Sequence, residues 1–235
     1  MEQLLEKMQA CRRQLELEDR LPAWERQLQE RKAQISEMTE NLKQKEQALE
    51  KLGNPGFLQR LSGKTGVQKE RICTQLREIT AARTAAQRDL QSLEQRILSG
   101  KREQLTLADS RTAYEAAKSA MVLTPALESQ LMMAELSAFA PFAMETAAGV
   151  LTELEEAEPW LKQEQHRQQQ LETLEAAANR LQDILSVLPE GIAPVGSFLR
   201  EPRLFLGEGN VSDRLIQAQE QIRQVINQLR LLLGE

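Results

Sequence analysis

The sequence predicts an all-α protein in which a long antiparallel coiled-coil hairpin is joined to a helical bundle. Three observations favour this fold class. Only eight of the 235 residues are aromatic, whereas β-sheets draw on aromatic and β-branched side chains. The chain is rich instead in Leu, Gln, Glu, Ala, Arg and Lys, which are strong helix formers. Apolar residues also recur at heptad spacing on both sides of a short segment that contains Gly and Pro.

The first predicted helix carries one long heptad series. Leu or Ile recurs every seven residues, at Leu21, Leu28, Ile35, Leu42 and Leu49. A second row lies three residues after members of the first, at Trp24, Met38 and Leu52. These two rows have the spacing of coiled-coil a and d positions. A similar 4-3-4 spacing upstream has a different register, so we expect a stutter or kink near Pro22; it comprises Leu4, Met8, Cys11 and Leu15.

Two clusters of helix-breaking residues interrupt the pattern over residues 53–66 and predict the tip of a hairpin. The heptads then resume at Ile72, Leu76, Ile79, Arg83, Ala86, Leu90, Leu93 and Ile97. Two helices of matched pattern on either side of a short connection indicate an antiparallel pair. We therefore predict that residues 1–123 form the hairpin, with a first arm of roughly 75 Å over residues 1–51 at about 1.5 Å per residue.

Residues 124–235 are predicted to form a C-terminal helical bundle. Thr124 and Pro125 have the character of an N-cap and a first helical residue. The sequence leaves open whether residues 124–140 belong to the hairpin or to the bundle. Residues 189–210 combine Pro and Gly with apolar anchors, which predicts a packed loop. The apolar stripes over 171–188 and 215–232 are expected to close the bundle or to form a homodimer.

The charge of the chain is unevenly distributed. The net charge is −5, but residues 1–123 carry 22 Lys and Arg against 18 Asp and Glu, whereas residues 124–235 carry 8 against 17. This asymmetry favours attraction within one fold or within a dimer, and the alternative is an acidic partner for the first half.

The sequence predicts a cytoplasmic protein without a transmembrane segment. The uncharged stretch at residues 136–144 contains a proline and is far shorter than the ~18 residues that span a bilayer. The N-terminus lacks the apolar core of a secretory signal. Cys11 and Cys73, the two cysteines, have no metal-ligand spacing and are expected to be small core residues in a reducing compartment.

No pattern of residues points to catalysis, a metal or a cofactor. Residues 63–65 read Gly-Lys-Thr, but a phosphate-binding loop requires a glycine where Leu58 stands and a preceding strand. His166, the single histidine, lies in a polar stretch without a second ligand. Four glutamates cluster in sequence but point in several directions on a helix: Glu153, Glu155, Glu156 and Glu158. The sequence therefore predicts a non-enzymatic protein with no cofactor.

Apolar and basic side chains come together at the predicted tip, namely Phe57, Leu58, Arg60, Leu61, Lys64, Lys69 and Arg71. Such a surface, if exposed, could bind a partner protein, so the favoured function is a scaffold or adaptor. The alternative function is a nucleic-acid-associated coiled coil, although the single aromatic and the acidic chain disfavour it. The competing structural interpretation is that the apolar tip residues fold back and cap the hairpin.

Three segments of the chain match the pattern of a known family in the same order. They are GFLQRLSGK (residues 56–64) between the two arms, ETAAG (145–149) before a Glu-rich stretch, and residues 198–207 leading into DRLIQA (213–218). Together they resemble a family of uncharacterised bacterial helical proteins, best represented among Firmicutes, with a hairpin tip of the form Phe-x-x-x-Leu-x-Gly-Lys. This chain departs from that family at Pro202, Arg203 and residues 207–208, where aromatics and Asp-Gly are usual. The resemblance implies an elongated, cytoplasmic, all-helical protein and no activity.

Overall fold

A computed structural model describes residues 1–53, 64–207 and 209–234, and it confirms the predicted all-α fold class. None of the residues in these ranges forms a strand. In chain order the helices are α1 Glu2–Gly53, α2 Lys64–Thr106, α3 Ser110–Ala120, α4 Pro125–Glu156, α5 Glu158–Leu161, α6 Glu164–Ser186, α7 Ser197–Arg200, α8 Pro202–Gly207 and α9 Val211–Leu233.

The chain divides into two compact units. Residues 20–103 form one, here called the hairpin unit, and residues 1–19 with 104–235 form the other, the bundle unit. The boundary predicted from sequence, between residues 123 and 124, differs from this division. The difference has a physical cause, because both ends of the predicted hairpin contribute buried residues to the bundle core: Leu4, Met8, Cys11, Leu15 and Tyr114.

Within the hairpin unit α1 and α2 pair in antiparallel fashion. Lys101 Nζ lies 2.5 Å from Glu25 Oε1, and Lys32 Nζ lies 3.4 Å from Glu94 Oε1. Further along, Lys45 Nζ donates to the side-chain oxygen of Gln75 at 2.9 Å. As the residue numbers increase along α1, the numbers of their partners on α2 decrease. The two helices are therefore antiparallel, as the two matched heptad patterns predict.

The heptad residues face inward within the hairpin unit. Leu21, Leu42, Ala86 and Ile97 are buried, and the other apolar heptad positions of residues 20–103 are half-buried. The Arg96 guanidinium lies over the Trp24 ring, 4.2 Å from its centroid, and adds a cation–π contact. Helix α1 continues through Pro22, where a stutter or kink was expected.

Side-chain and glycine caps close the helix ends of the bundle unit. Thr124 Oγ1 accepts a hydrogen bond from the Leu127 N–H at 3.4 Å, and Pro125 begins α4, as predicted. Asn210 Oδ1 accepts from the Ser212 N–H at 3.1 Å and caps α9. Gly234 follows α9 with a φ of +76°, in the left-handed region that glycine adopts without strain.

The core of the bundle unit is built mainly from α4, α6 and α9. The stripes predicted over residues 171–188 and 215–232 are largely buried inside this unit, so they close the bundle. Residues 131–140 also contribute to the same core. The segment predicted as a packed loop is packed, but it contains the short helices α7 and α8. It is anchored by buried Phe198 and Phe205, whose rings meet edge to face at 6.1 Å between centroids. Leu204, another apolar residue of this segment, is 57% exposed and does not act as an anchor.

Truncation of a core aromatic of α4 is expected to destabilise the protein strongly. Phe139 is fully buried, so Phe139→Ala removes apolar contacts and leaves a cavity. The free energy of unfolding should fall by about 3–5 kcal/mol. Met133, on the same helix, is 60% exposed, and Met133→Ala is the control, expected to stay within about 0.5 kcal/mol of wild type. Urea unfolding followed by circular dichroism measures both; similar losses would contradict the assignment of the core face of α4.

Candidate functional site

The predicted tip lies largely outside the described residues. Phe57, Leu58, Arg60 and Leu61 all belong to the range 54–63, and of Lys64 only the backbone, at the start of α2, is described. The remaining two tip residues lie on the first turns of α2, where Lys69 is half-buried and Arg71 is exposed. The tip site therefore stays a prediction.

Arg111 joins the start of α1 to α3 and α6 in the bundle unit. Its backbone N–H donates to the side-chain oxygen of Gln14 at 3.0 Å. Its guanidinium donates to Asp183 Oδ1 and to Ser186 Oγ, both at 2.8 Å. The hydrogen bond to Asp183 raises the pKa of Arg111. Gln14, Asp183 and Ser186 lie 97, 72 and 75 positions from Arg111 in the sequence. Local sequence patterns therefore do not predict these contacts.

Arg180 makes a second polar connection within the same unit. Its Nε lies 3.2 Å from Asp19 Oδ1, and one terminal nitrogen lies 3.7 Å from Glu153 Oε1. A cavity of 60 Å³ adjoins this pair, lined by Leu15, Glu18, Asp19, Arg180, Asp183 and Ile184. Ligand pockets usually measure roughly 300–1,000 Å³, so this space suits one or two water molecules. The arrangement connects α1, α4 and α6.

A buried carboxylate connects α3 with α4. Glu135 is only 2% exposed, and its Oε1 accepts a hydrogen bond from the Tyr114 hydroxyl at 2.5 Å and pairs with Lys118 Nζ. Burial, followed by the hydrogen bond to the carboxylate, raises the pKa of Tyr114. The phenol therefore stays protonated and serves as a donor. An ion pair of this kind fixes the relative position of two helices more than it adds net stability.

Cys11 is packed in the core of the bundle unit, as the sequence predicts. Burial raises the pKa of its thiol to about 11. The thiolate is the nucleophilic form of cysteine, so Cys11 is protonated and unreactive at neutral pH.

Three of the four glutamates that cluster in sequence contact different partners. Glu153 pairs with Arg180, and Glu155 Oε1 lies 3.3 Å from an Arg223 nitrogen. Glu158 Oε1 accepts from Lys162 and from Ser212, each at 2.6 Å, and the Lys162 bond is the main reason that the pKa of Glu158 is lowered. Across residues 1–53, 64–207 and 209–234, no group of three or more His, Cys, Asp or Glu side chains could hold a metal ion.

His166 belongs to a shallow surface depression. Its ring meets the half-exposed Trp160 edge to face, with 5.5 Å between centroids. The depression measures 200 Å³ and is otherwise lined by Gln169, Gln170 and Thr173. The histidine thus contacts an aromatic ring and shares the depression with uncharged polar side chains.

The bundle unit thus contains polar connections between helices, and the predicted interaction site lies elsewhere, at the tip. In the described part of the chain, no helix combines the length and apolarity needed to cross a membrane. Comparison of the whole chain with protein-family models, curated proteins and solved structures gave no match.

The two cysteines are expected to differ sharply in reactivity. Cys73 is half-buried on α2, whereas Cys11 is buried with a pKa of about 11. Iodoacetamide at pH 8 should therefore label Cys73 first and reach Cys11 only after urea unfolds the chain. Peptide mass spectrometry distinguishes the sites, and rapid labelling of Cys11 in the native protein would contradict its burial.

Loss of the cation beside the buried carboxylate is expected to destabilise the bundle unit. Lys118→Met leaves Glu135 with Tyr114 alone, so we expect the free energy of unfolding to fall by about 2–3 kcal/mol. The decrease is smaller than for a fully buried pair because the lysine itself is partly solvated. The triple variant Tyr114→Phe/Lys118→Met/Glu135→Leu replaces the polar set by apolar groups and should recover most of that loss. Urea unfolding measures both variants. A triple variant as unstable as the single one would contradict this explanation.

Proposed function

We propose that this chain is a non-enzymatic scaffold or adaptor that presents the tip of its hairpin, residues 53–66, to a partner protein. The observation that carries the proposal is the antiparallel pairing of α1 and α2, which residues 54–63 connect. The contact between Glu25 and Lys101 and the contact between Lys45 and Gln75 are 20 positions apart on α1, a distance of about 30 Å along a helix.

The surface of the hairpin unit also supports an interaction role. Ligand pockets are mostly apolar and enclosed. A depression of 470 Å³ in this unit is instead lined mostly by polar and charged side chains: Gln27, Glu30, Arg31, Gln34, Asp89 and Leu93. Two paired helices with half-buried heptad residues offer surface to a partner and little interior to a substrate.

The sequence of the tip indicates the chemistry of its partner. Phe57, Leu58 and Leu61 supply an aromatic and two aliphatic anchors, and Arg60 and Lys64 supply positive charge. Aromatic and arginine side chains dominate the binding energy of many protein interfaces. The complementary surface is an apolar pocket rimmed by acidic side chains.

We also propose that the hairpin is a two-stranded coiled coil, supported by its heptads. The protein acts in the cytoplasm, supported by two cysteines without a disulfide. The chain belongs to the Firmicutes helical family that its tip motif resembles. A homodimer would use surfaces other than the stripes buried in the bundle unit.

The alternative function is nucleic-acid association through Arg60, Lys64, Lys69 and Arg71. One observation favours it: the hairpin unit has 17 Lys and Arg against 11 Asp and Glu, whereas the bundle unit has 13 against 24. The basic charge of the chain is thus concentrated in the unit that contains the tip.

Affinity capture from a nuclease-treated native lysate tests the tip. Wild type is compared with Phe57→Ala/Leu61→Ala and with the control Val67→Ala/Leu98→Ala, which removes apolar side chains that are 70% and 53% exposed on α2. We expect one protein to be retained by wild type and control and lost with the tip variant. With purified components, loss of two anchors should raise the Kd by about 30-fold or more.

Two results would contradict the adaptor function. If all three forms retain the same proteins with the same Kd, the tip serves only as a turn. If the chain retains nothing after nuclease treatment, and without nuclease retains nucleic acid that is lost on Arg60→Gln/Lys64→Gln, the alternative function replaces the adaptor.

A further inference from the structure

Three exposed arginines lie in a row on α2. Arg77, Arg88 and Arg102 are exposed, and at 3.6 residues per turn they fall within about 40° of one another around the helix axis. The positions between them on the same side are exposed and uncharged: Ala81, Thr84, Gln91, Gln95 and Ser99. These eight residues are called the arginine face. The heptad residues of α2 lie on the opposite side and pair with α1, so α1 leaves this face uncovered.

The acidic residues of the same stretch do not neutralise the arginine face. Glu78, Asp89, Glu94 and Glu103 lie roughly a quarter turn or more away around the axis. Two of them are engaged by α1, since Asp89 lies 4.0 Å from an Arg31 nitrogen and Glu94 pairs with Lys32. The three guanidinium groups form no ion pair or hydrogen bond with any described residue, so their charges are available to a ligand.

The local charge determines what this face attracts. The hairpin unit has a net charge of +6, while the chain as a whole has −5. At physiological ionic strength an exposed charge acts over about 8 Å. Anions that approach the arginine face therefore meet a positive surface even though the protein is acidic overall.

The side chains of the arginine face select among anionic partners. The face has no apolar stripe, which docking of an amphipathic helix or insertion into a lipid surface requires. It has no aromatic residue, on which the bases of single-stranded nucleic acid would stack. Arginine charge combined with glutamine amides and a serine hydroxyl is the chemistry that contacts the phosphate backbone of duplex DNA.

The spacing of the arginines fits a duplex. Eleven residues separate Arg77 from Arg88 and fourteen separate Arg88 from Arg102, which gives about 16 and 21 Å along α2 and about 37 Å in total. One turn of B-DNA measures about 34–36 Å. A helix parallel to the duplex axis meets one strand once per turn and the complementary strand in between.

We propose that the arginine face of α2 binds the phosphate backbone of double-stranded DNA, independently of base sequence. Arg77 and Arg102 contact one strand, and Arg88 contacts the other. This site is separate from the tip, so the inference goes beyond the adaptor function and does not rest on it.

Fluorescence anisotropy with a labelled 24-base-pair DNA duplex tests the site on the full-length protein. The face variant is Arg77→Gln/Arg88→Gln/Arg102→Gln. The control is Arg167→Gln/Arg200→Gln/Arg230→Gln, which removes the same charge from the bundle unit. Glutamine and arginine have similar helix propensity, and circular dichroism checks that both variants remain folded.

Three phosphate contacts predict the salt dependence. The association constant of wild type should fall about 40-fold between 50 and 200 mM salt, a log–log slope near −2.7. The face variant should bind at least about tenfold more weakly at 50 mM salt with a shallower slope. The control and the tip variant Phe57→Ala/Leu61→Ala should behave as wild type.

Several outcomes would overturn the proposal. The proposal is wrong if wild type does not bind the duplex at 50 mM salt, or if the face variant and the control lose the same affinity for it. It is also wrong if a single strand of the same length binds as tightly as the duplex. Displacement of the duplex by polyglutamate at equal charge concentration would show that the face recognises acidic polypeptide and not DNA.

Discussion

The burial of the first turns of α1 is the constraint on which the two-unit organisation depends. The apolar residues between Leu4 and Leu15 pack into the core of the bundle unit, while residues from Arg20 onward belong to the hairpin unit. One uninterrupted helix therefore contributes to two units and exchanges its packing partners near residue 20. Gln14 and Asp19 add polar contacts to α3 and α6 close to this exchange, so the end of the buried segment is held by both apolar and charged groups.

The two units differ in what stabilises them. The bundle unit has large, fully buried side chains such as Phe139, Phe198 and Ile222. The hairpin unit relies on heptad residues, of which four are buried and the rest half-buried, on a cation–π contact and on exposed ion pairs, which contribute little individually. Its stability thus comes from many weak contacts along two helices, an arrangement suited to displaying surface. Charge is segregated as well, into a basic hairpin unit and an acidic bundle unit.

Much of this fold follows from periodicity in the sequence. The heptad series of both arms identified the inward positions of the hairpin unit, and Thr124 and Pro125 identified the start of α4. The shift of register near Pro22 lies close to the point where α1, which continues as a helix, passes from the core of the bundle unit to the hairpin unit; the expected stutter or kink itself stays a prediction. A hydrophobic pattern specifies which side of a helix is buried and does not specify the helix that covers it, so the unit boundaries did not follow from the sequence.

The polar contacts lay beyond sequence reasoning for a related reason. Arg111 and Asp183, or Tyr114 and Glu135, are ordinary surface residue types until the tertiary fold brings them together. The tip, in contrast, is a prediction from composition alone, because residues 54–63 lie outside the described residues. The arginine face required the structure, because the net charge of the whole chain conceals a basic unit and only the helical arrangement separates its arginines from nearby acids.

Hydrogen–deuterium exchange of the full-length protein tests most directly whether α1 belongs to two units. Exchange protection follows local burial and the stability of each cooperative unit. We expect the amides of residues 4–15 to exchange as slowly as those of the buried part of α6, residues 174–185, and the amides of residues 25–50 to exchange faster. Uniform exchange along the whole of α1, at the rate of residues 25–50, would contradict the packing of its first turns into the bundle core.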